Sequence, residues 1–303
     1  MRLLTRSDFD GLACGALLKE AGIIDSWKFV HPKDIQDGLV QADENDVLAN
    51  IPYIPGCGMW FDHHISEGER LGAIDVPGEH RVTPSCARII YDYFGGDEKF
   101  SSMKEMINKV DDVDSANLTV DEIMNPTGWV LLGFLMDPRT GLGRFRDFSI
   151  SNYQLMEILM DDCRTMQIDD ILMLSDVQER IKLYNEQSAL FKEMVTNHSK
   201  TFVNCVVTDL RGVDTIYSGN RFMVYGMFPE QNISLWIVDG RAKQNCSIAV
   251  GHSILNRTSK TNVGSLLLQY GGGGHAQVGT CQVAYGDADT VIAELLKKIN
   301  ADG

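Results

Sequence analysis

Short apolar runs alternate with helical patterns over the first 175 residues, and that order predicts a parallel sheet wrapped by helices. Leu3-Leu4 is the first run. A polar turn follows, Ser7-Asp8-Phe9-Asp10-Gly11, and then Leu12-Ala13-Cys14-Gly15-Ala16-Leu17-Leu18, a helix start. Val47-Leu48-Ala49-Asn50 and Gly58-Met59-Trp60-Phe61 read as further strands, each ending in polar residues where an α/β sheet presents its ligands. Pro84 to Phe94 reads as the helix after the second of these.

From Met103 to His198 the pattern is mostly helical, with a break at Asp137-Pro138-Arg139-Thr140-Gly141-Leu142-Gly143. Gln178 to His198 is amphipathic and polar enough to be a connecting helix. After Lys200 the pattern changes to strands, with β-branched enrichment in Thr201 to Thr208, Arg221 to Gly226, Ile233 to Asp239 and Cys246 to Gly251. Helices are expected at Val263 to Tyr270 and Ala288 to Ile299. The expected architecture is α/β: a doubly wound parallel sheet domain over residues 1–175, a helical linker over 176–199, and a smaller mixed α/β domain over 200–303.

Charge narrows the partners. Across 303 residues, 42 acidic side chains stand against 27 basic ones, a formal charge of −15, and such a field repels long phosphate backbones. Long duplex nucleic acid is therefore excluded as a partner, whereas a short anion can be held by a metal or a few local basic groups. The amino terminus lacks a signal-peptide core, and no stretch approaches the ~18 apolar residues of a membrane span. No membrane partner is expected, and the expected location is the cytoplasm. The seven cysteines are scattered without a Cys-x-x-Cys pair and read as buried reduced thiols.

Several clusters can carry chemistry. Asp8 and Asp10 flank Phe9 at the end of the first strand, and at extended spacing both carboxylates lie on one side, able to share a cation. The alternative is turn chemistry, with carboxylates capping the following helix. Phe61-Asp62-His63-His64 ends an apolar strand with a carboxylate and two imidazoles, ligands suited to manganese, zinc or iron. Val110-Asp111-Asp112-Val113-Asp114-Ser115 is a third acidic cluster, after an amphipathic helix at Met103 to Lys109. Gly271 to Gly274 followed by His275 lacks P-loop and Rossmann spacing; its bare amides suit phosphate oxygens or a close backbone approach, with His275 as a donor. Arg241 is the strongest basic candidate after residue 200. Arg139, Arg144 and Arg146, set among two glycines, read either as a cation-bearing lid or as a structural loop.

Together, Ser7-Asp8-Phe9-Asp10-Gly11, Asp62-His63-His64, the Asp111 to Asp114 cluster and Gly271-Gly272-Gly273-Gly274-His275-Ala276-Gln277-Val278-Gly279 resemble the DHH phosphoesterase superfamily, in the subgroup with a second, DHHA1-type domain. The resemblance covers almost the whole chain. It implies a divalent-metal-dependent phosphohydrolase, with manganese favoured over magnesium. The site would lie in a cleft between the two domains. Substrates would be short nucleotidic phosphoesters: very short RNA, linear dinucleotides or 3′-phosphoadenosine 5′-phosphate. By position it implies Asp8, Asp10, His63 and Asp111 as metal ligands, and Asp62 as a ligand or an anchor. His64, Arg241, Gly272, Gly273, Gly274 and His275 would meet substrate phosphate. No sequence pattern sets the oligomeric state, and a homodimer stays open.

Two positions depart from it. Arg6 stands where the family motif has a histidine ligand, and Asn50 where a strand-end aspartate bridges two metals. An arginine cannot ligate a cation, and a neutral amide bridges two poorly. Arg6 then replaces a metal's charge and holds phosphoryl oxygens itself, or the chain binds nucleotide without hydrolysis. Exopolyphosphatase-like hydrolysis is the remaining alternative.

Overall fold

The chain forms two units, Met1–Asn117 with Pro126–Tyr184, and Leu118–Asn125 with Asn185–Gly303. The computed structural model describes residues 1–71 and 74–303, apart from the side chains of Glu69 and Arg241. The change of unit falls between Tyr184 and Asn185, inside the helix Ser175–His198. The short segment Leu118–Asn125 belongs with the later residues, which the linear reading did not anticipate.

In the first unit β1 (Arg2–Thr5), β2 (Ser26–Phe29), β3 (Asp46–Ala49), β4 (Met59–Asp62) and β5 (Gly78–His80) make a parallel sheet in the order β2-β1-β3-β4-β5. This is the expected doubly wound sheet. Thr5 pairs with Ala49 and Ala49 with Phe61, so β1, β3 and β4 end level with one another. The order reverses between β1 and β3, and in such sheets ligands bind outside the strand ends at that reversal. β3 is buried at every position, as a strand covered by helices on both faces must be.

The helix Phe9–Glu20 follows β1 through a turn that only glycine permits. A Cβ on Gly11 would lie 2.1 Å from the Arg6 carbonyl oxygen. Asp8 is the N-cap, accepting the Gly11 N–H at 2.9 Å. Phe9 through Leu18 are all buried, and a helix apolar on every side can only sit inside a core. Asp10 is therefore in the first helical turn, not at the extended spacing the sequence suggested.

The second unit holds a six-stranded sheet in the order β10-β11-β9-β8-β7-β6, built from β6 (Ser199–Phe202), β7 (Cys205–Asp209), β8 (Ile233–Asp239), β9 (Asn245–His252), β10 (Gly273–Gly274) and β11 (Val278–Ala284). The β7–β8 pair is parallel and the others antiparallel. Ile233, Leu235, Ile237, Ile248 and Val250 pack with Leu267, Val291, Leu295 and Ile299 of the helices Val263–Leu268 and Ala288–Asp302. Each such side chain contributes about 1.5–3 kcal/mol on burial.

Two sequence expectations are corrected. Thr201 to Thr208 is a hairpin rather than one strand, turning at Val203 (φ 54). Arg221 to Gly226 is not a strand: Met223–Met227 is a short helix. Asn220 starts that turn, accepting the Phe222 N–H at 2.9 Å on its side chain and the Met223 N–H at 3.0 Å on its carbonyl. Among the described residues no helix is long and apolar enough to cross a membrane. All seven cysteines are buried and unpaired.

Candidate active site

Asp10 is 2% exposed, and its two oxygens accept the N–H groups of Cys86 (3.0 Å) and Ala87 (2.8 Å), which open the helix Cys86–Tyr93. A helix N-terminus favours such an anion. Burial, and next the charge of Asp114, nevertheless push its carboxyl well above the usual range. His63, just past β4, brings Nε2 to 3.4 Å from Asp114 Oδ2 and 3.9 Å from Asp10 Oδ2. Its other nitrogen, Nδ1, lies 3.1 Å from the Thr83 carbonyl oxygen. A carbonyl only accepts, so Nδ1 carries the hydrogen and Nε2 of the neutral ring turns its lone pair toward the two carboxylates.

Asp114 ends the helix Lys104–Asp114. Burial raises its pKa, and the charge of a protonated His63 opposes the rise. Asp10, His63 and Asp114 each offer a ligand atom, and these atoms lie within 4.8 Å of one another. The donor set fits a divalent cation: a buried and a half-buried carboxylate gathered before an imidazole lone pair are costly without one.

Asp111 stands elsewhere. Its oxygens take the Ser85 hydroxyl at 2.6 Å and Arg88 Nε at 2.8 Å, and Arg88 also bonds Asn108. Ser85 is the N-cap of Cys86–Tyr93, so Asp111 braces a helix start. The ligand expected from this cluster at Asp111 is replaced in the group by Asp114. The signal was present in the sequence. At about 100° per residue, Asp114 lies nearest of the three aspartates to the stripe of Met106, Ile107, Val110 and Val113 that the helix buries.

Asp8 is 5% exposed and already satisfied. Oδ1 accepts from Gly11 N–H (2.9 Å) and Asn50 Nδ2 (3.2 Å), and Oδ2 pairs with Arg6 Nε at 3.2 Å. The two residues that depart from the family pattern thus both engage Asp8. Asn50 follows β3 with φ 57, in the left-handed region that asparagine tolerates. Its Oδ1 is buried without a partner among the described residues, and so is Asp62 Oδ2.

Asp62 ends β4, fully buried, and its Oδ1 accepts from His64 Nδ1 at 2.7 Å. Burial disfavours the charged imidazole, but the hydrogen bond and the charge of Asp62 outweigh it, and the His64 pKa is raised.

The remaining candidates belong to the second unit. Gly273 and Gly274 form β10 against Thr280 and Gly279. A Cβ on Gly274 (φ 150) would meet Val278 O at 2.2 Å, so this glycine is fixed by close strand pairing. Gly272 faces Thr280 O in the same way. His275 is exposed and its backbone N–H donates to Val278 O at 2.8 Å. The side chain of Arg241 lies outside the described residues.

No protein-family model matches the chain, and no curated protein does. Among solved structures, the chain is 48% identical to the pGpG-specific phosphodiesterase PggH from Vibrio cholerae, over 100% of this chain and 99% of that one, with a TM-score of 0.90. A DHH domain from a protein assigned to a ribosomal-protein family is 13% identical, with 99% and 86% covered and a TM-score of 0.56. RecJ from Thermus thermophilus, in complex with Mn2+, is 12% identical, with 98% and 52% covered and a TM-score of 0.56. These two share the fold.

Proposed function

Since the chain belongs to the DHH phosphoesterase superfamily, we propose that it hydrolyses the internal phosphodiester of a 5′-phosphorylated linear dinucleotide, pGpG, with Mn2+ held by Asp10, His63 and Asp114. The convergence of those three residues, in a chain similar throughout to a pGpG-specific phosphodiesterase, carries the reading. A divalent cation supplies positive charge for the phosphoryl oxygens and makes an attacking water more acidic.

The chain's own residues do the rest. Arg6, anchored on Asp8, neutralises that carboxylate and turns the remainder of its guanidinium to the phosphate. His64 is oriented by Asp62, and its imidazolium form presents Nε2–H to a phosphate oxygen. Asp62 Oδ2 and Asn50 Oδ1, both without partners among the described residues, are acceptors for water at the strand ends. Water oxygen bonds to phosphorus while the bond to the 3′-oxygen breaks. That oxygen leaves with a proton, and two 5′-mononucleotides result. The second unit, which carries Arg241, His275 and the run Gly272, Gly273 and Gly274, is read as a DHHA1-type substrate domain, with the exposed His275 its candidate for phosphate. The excess of acidic residues favours so short a substrate. Unpaired cysteines suit a reducing cytoplasm.

The test offers purified protein with Mn2+ four substrates side by side: pGpG, pApA, 3′-phosphoadenosine 5′-phosphate and polyphosphate. Mononucleotide from pGpG that disappears in Asp10→Ala is the expected result. Cleavage of polyphosphate alone would overturn the reading.

A further inference from the structure

The helix Gly128–Met136 is almost wholly apolar and buried, and it packs tightly at Gly133. A Cβ there would come within 2.9 Å of the Phe9 ring and 3.4 Å of Val113 Cγ2. Phe9 separates Asp8 from Asp10, and Val113 precedes Asp114. The helix is therefore seated against both segments that carry the acidic group. About one turn beyond Gly133 it ends at Asp137, and two residues later comes Arg139.

Asp137, 9% exposed, fixes that arginine. It accepts the Arg139 backbone N–H at 2.8 Å, and Nε reaches its two oxygens at 2.8 and 3.2 Å. Pro138 presets the turn and Gly141, at φ 89, carries the chain away. Nη1 and Nη2 of Arg139 bond no described residue. The side chain as a whole is 48% exposed. The charges of Asp8 and Asp114 both act on this guanidinium, which in turn restrains the rise in the Asp114 pKa. Arg139 thus stands within the field of the acidic group while its ion pair is made elsewhere. Arg6 repeats the arrangement, with Nε on Asp8.

We propose that Arg139, held by Asp137, binds a phosphate oxygen of the nucleotide substrate through Nη1 and Nη2, as a second guanidinium beside Arg6. The proposal rests on the hydrolase reading above. Two outward N–H groups in a fixed plane match phosphate oxygens, which a lysine does not reproduce. A loop arginine serving only to brace Asp137 has no need of that opening.

The test exploits a difference of sign. Calorimetry on the full chain measures Mn2+ binding without nucleotide, and pGpG binding without metal; kcat and KM for pGpG follow with Mn2+. In Arg139→Gln a cation leaves the neighbourhood of the metal group, so Mn2+ should bind a few-fold tighter. The same change should weaken pGpG binding and lower kcat/KM by about tenfold or more. Arg139→Lys keeps the charge and loses the fork: Mn2+ affinity should stay within about twofold of wild type while KM rises. Unchanged pGpG parameters in both variants would overturn the proposal, as would a joint loss of Mn2+ and pGpG binding, the mark of a purely structural arginine. Wild type that binds pGpG through Arg139 without cleaving it would overturn the hydrolase reading alone. Wild type that neither binds nor cleaves it would overturn both.

Discussion

Asp114 places a carboxylate oxygen 3.4 Å from Nε2 of His63, whereas Asp111, one turn earlier, is bound to Ser85 and Arg88. The two aspartates should separate cleanly on mutation. Asp114→Asn should weaken Mn2+ binding by at least about tenfold and leave the melting temperature nearly unchanged. Asp111→Asn should leave Mn2+ affinity within about twofold and cost about 1–3 kcal/mol in denaturant unfolding, because Arg88 loses its charged partner and keeps only Asn108. Titration calorimetry and urea melts on the two variants decide it.

The departures at positions 6 and 50 concern Asp8. Asn50 donates to Asp8 Oδ1 at 3.2 Å, so Asn50→Asp turns a hydrogen bond into a buried repulsion. Metal-free protein should lose about 1–3 kcal/mol of stability. Excess Mn2+ should restore it if the new carboxylate recruits a cation. Combining it with Arg6→His should raise the metal count per chain, and metal analysis after gel filtration reads that directly.

His64 owes its raised pKa to Asp62, whose hydrogen bond and charge overcome burial. Asp62→Asn removes the charge and leaves burial in control, so the His64 pKa should fall below its ordinary value of about 6.5. Proton NMR on metal-free protein follows the shift. Because the folded pKa is raised, the pair stabilises the fold fully below the unfolded pKa, and that contribution is lost as pH rises through the folded value. The deficit of Asp62→Asn should therefore be largest on the acid side, narrowing as pH rises.

Arg2 and Asp46 close β1 onto β3 with two bonds, 2.7 and 2.9 Å. Burial works against the Asp46 carboxylate, but the hydrogen bond from Arg2 and that from Asp43 N–H hold its pKa below the usual range. A depressed pKa stabilises above the unfolded value of about 3.9 and is lost as pH falls through the folded one. Asp46→Asn should cost about 1–2 kcal/mol at pH 7, and wild type and variant should converge in acid. Unfolding curves at pH 7 and pH 3 test the sign.

What the sequence made legible followed from strong local patterns. Leu3-Leu4, Val47 to Asn50 and Gly58 to Phe61 became β1, β3 and β4 because apolar runs ending in polar residues have one reading in a sheet covered on both faces. Val224 and Tyr225 misled, since a short apolar run with β-branched and aromatic residues suits a strand or a buried helix equally. Asp10 could not be placed from spacing alone, because one residue's difference in where the helix starts turns its side chain from the strand edge into the helix. Asp111 and Asp114 share one acidic cluster, and only the buried stripe of the helix distinguishes which of them turns toward His63. The role of Asp137 in holding Arg139 depends on where a helix ends against Phe9 and Val113, and no local pattern carries that.

The proposed pGpG hydrolysis depends on a cation held by Asp10, His63 and Asp114. The most direct test follows GMP released from pGpG by one sample of wild type and one of Asp10→Asn, each across a Mn2+ titration. Wild type should be silent without Mn2+ and reach full turnover as the site fills, while Asp10→Asn stays at background at every concentration. Turnover in Asp10→Asn that matches wild type, or wild-type turnover in full without any divalent ion, would contradict the account.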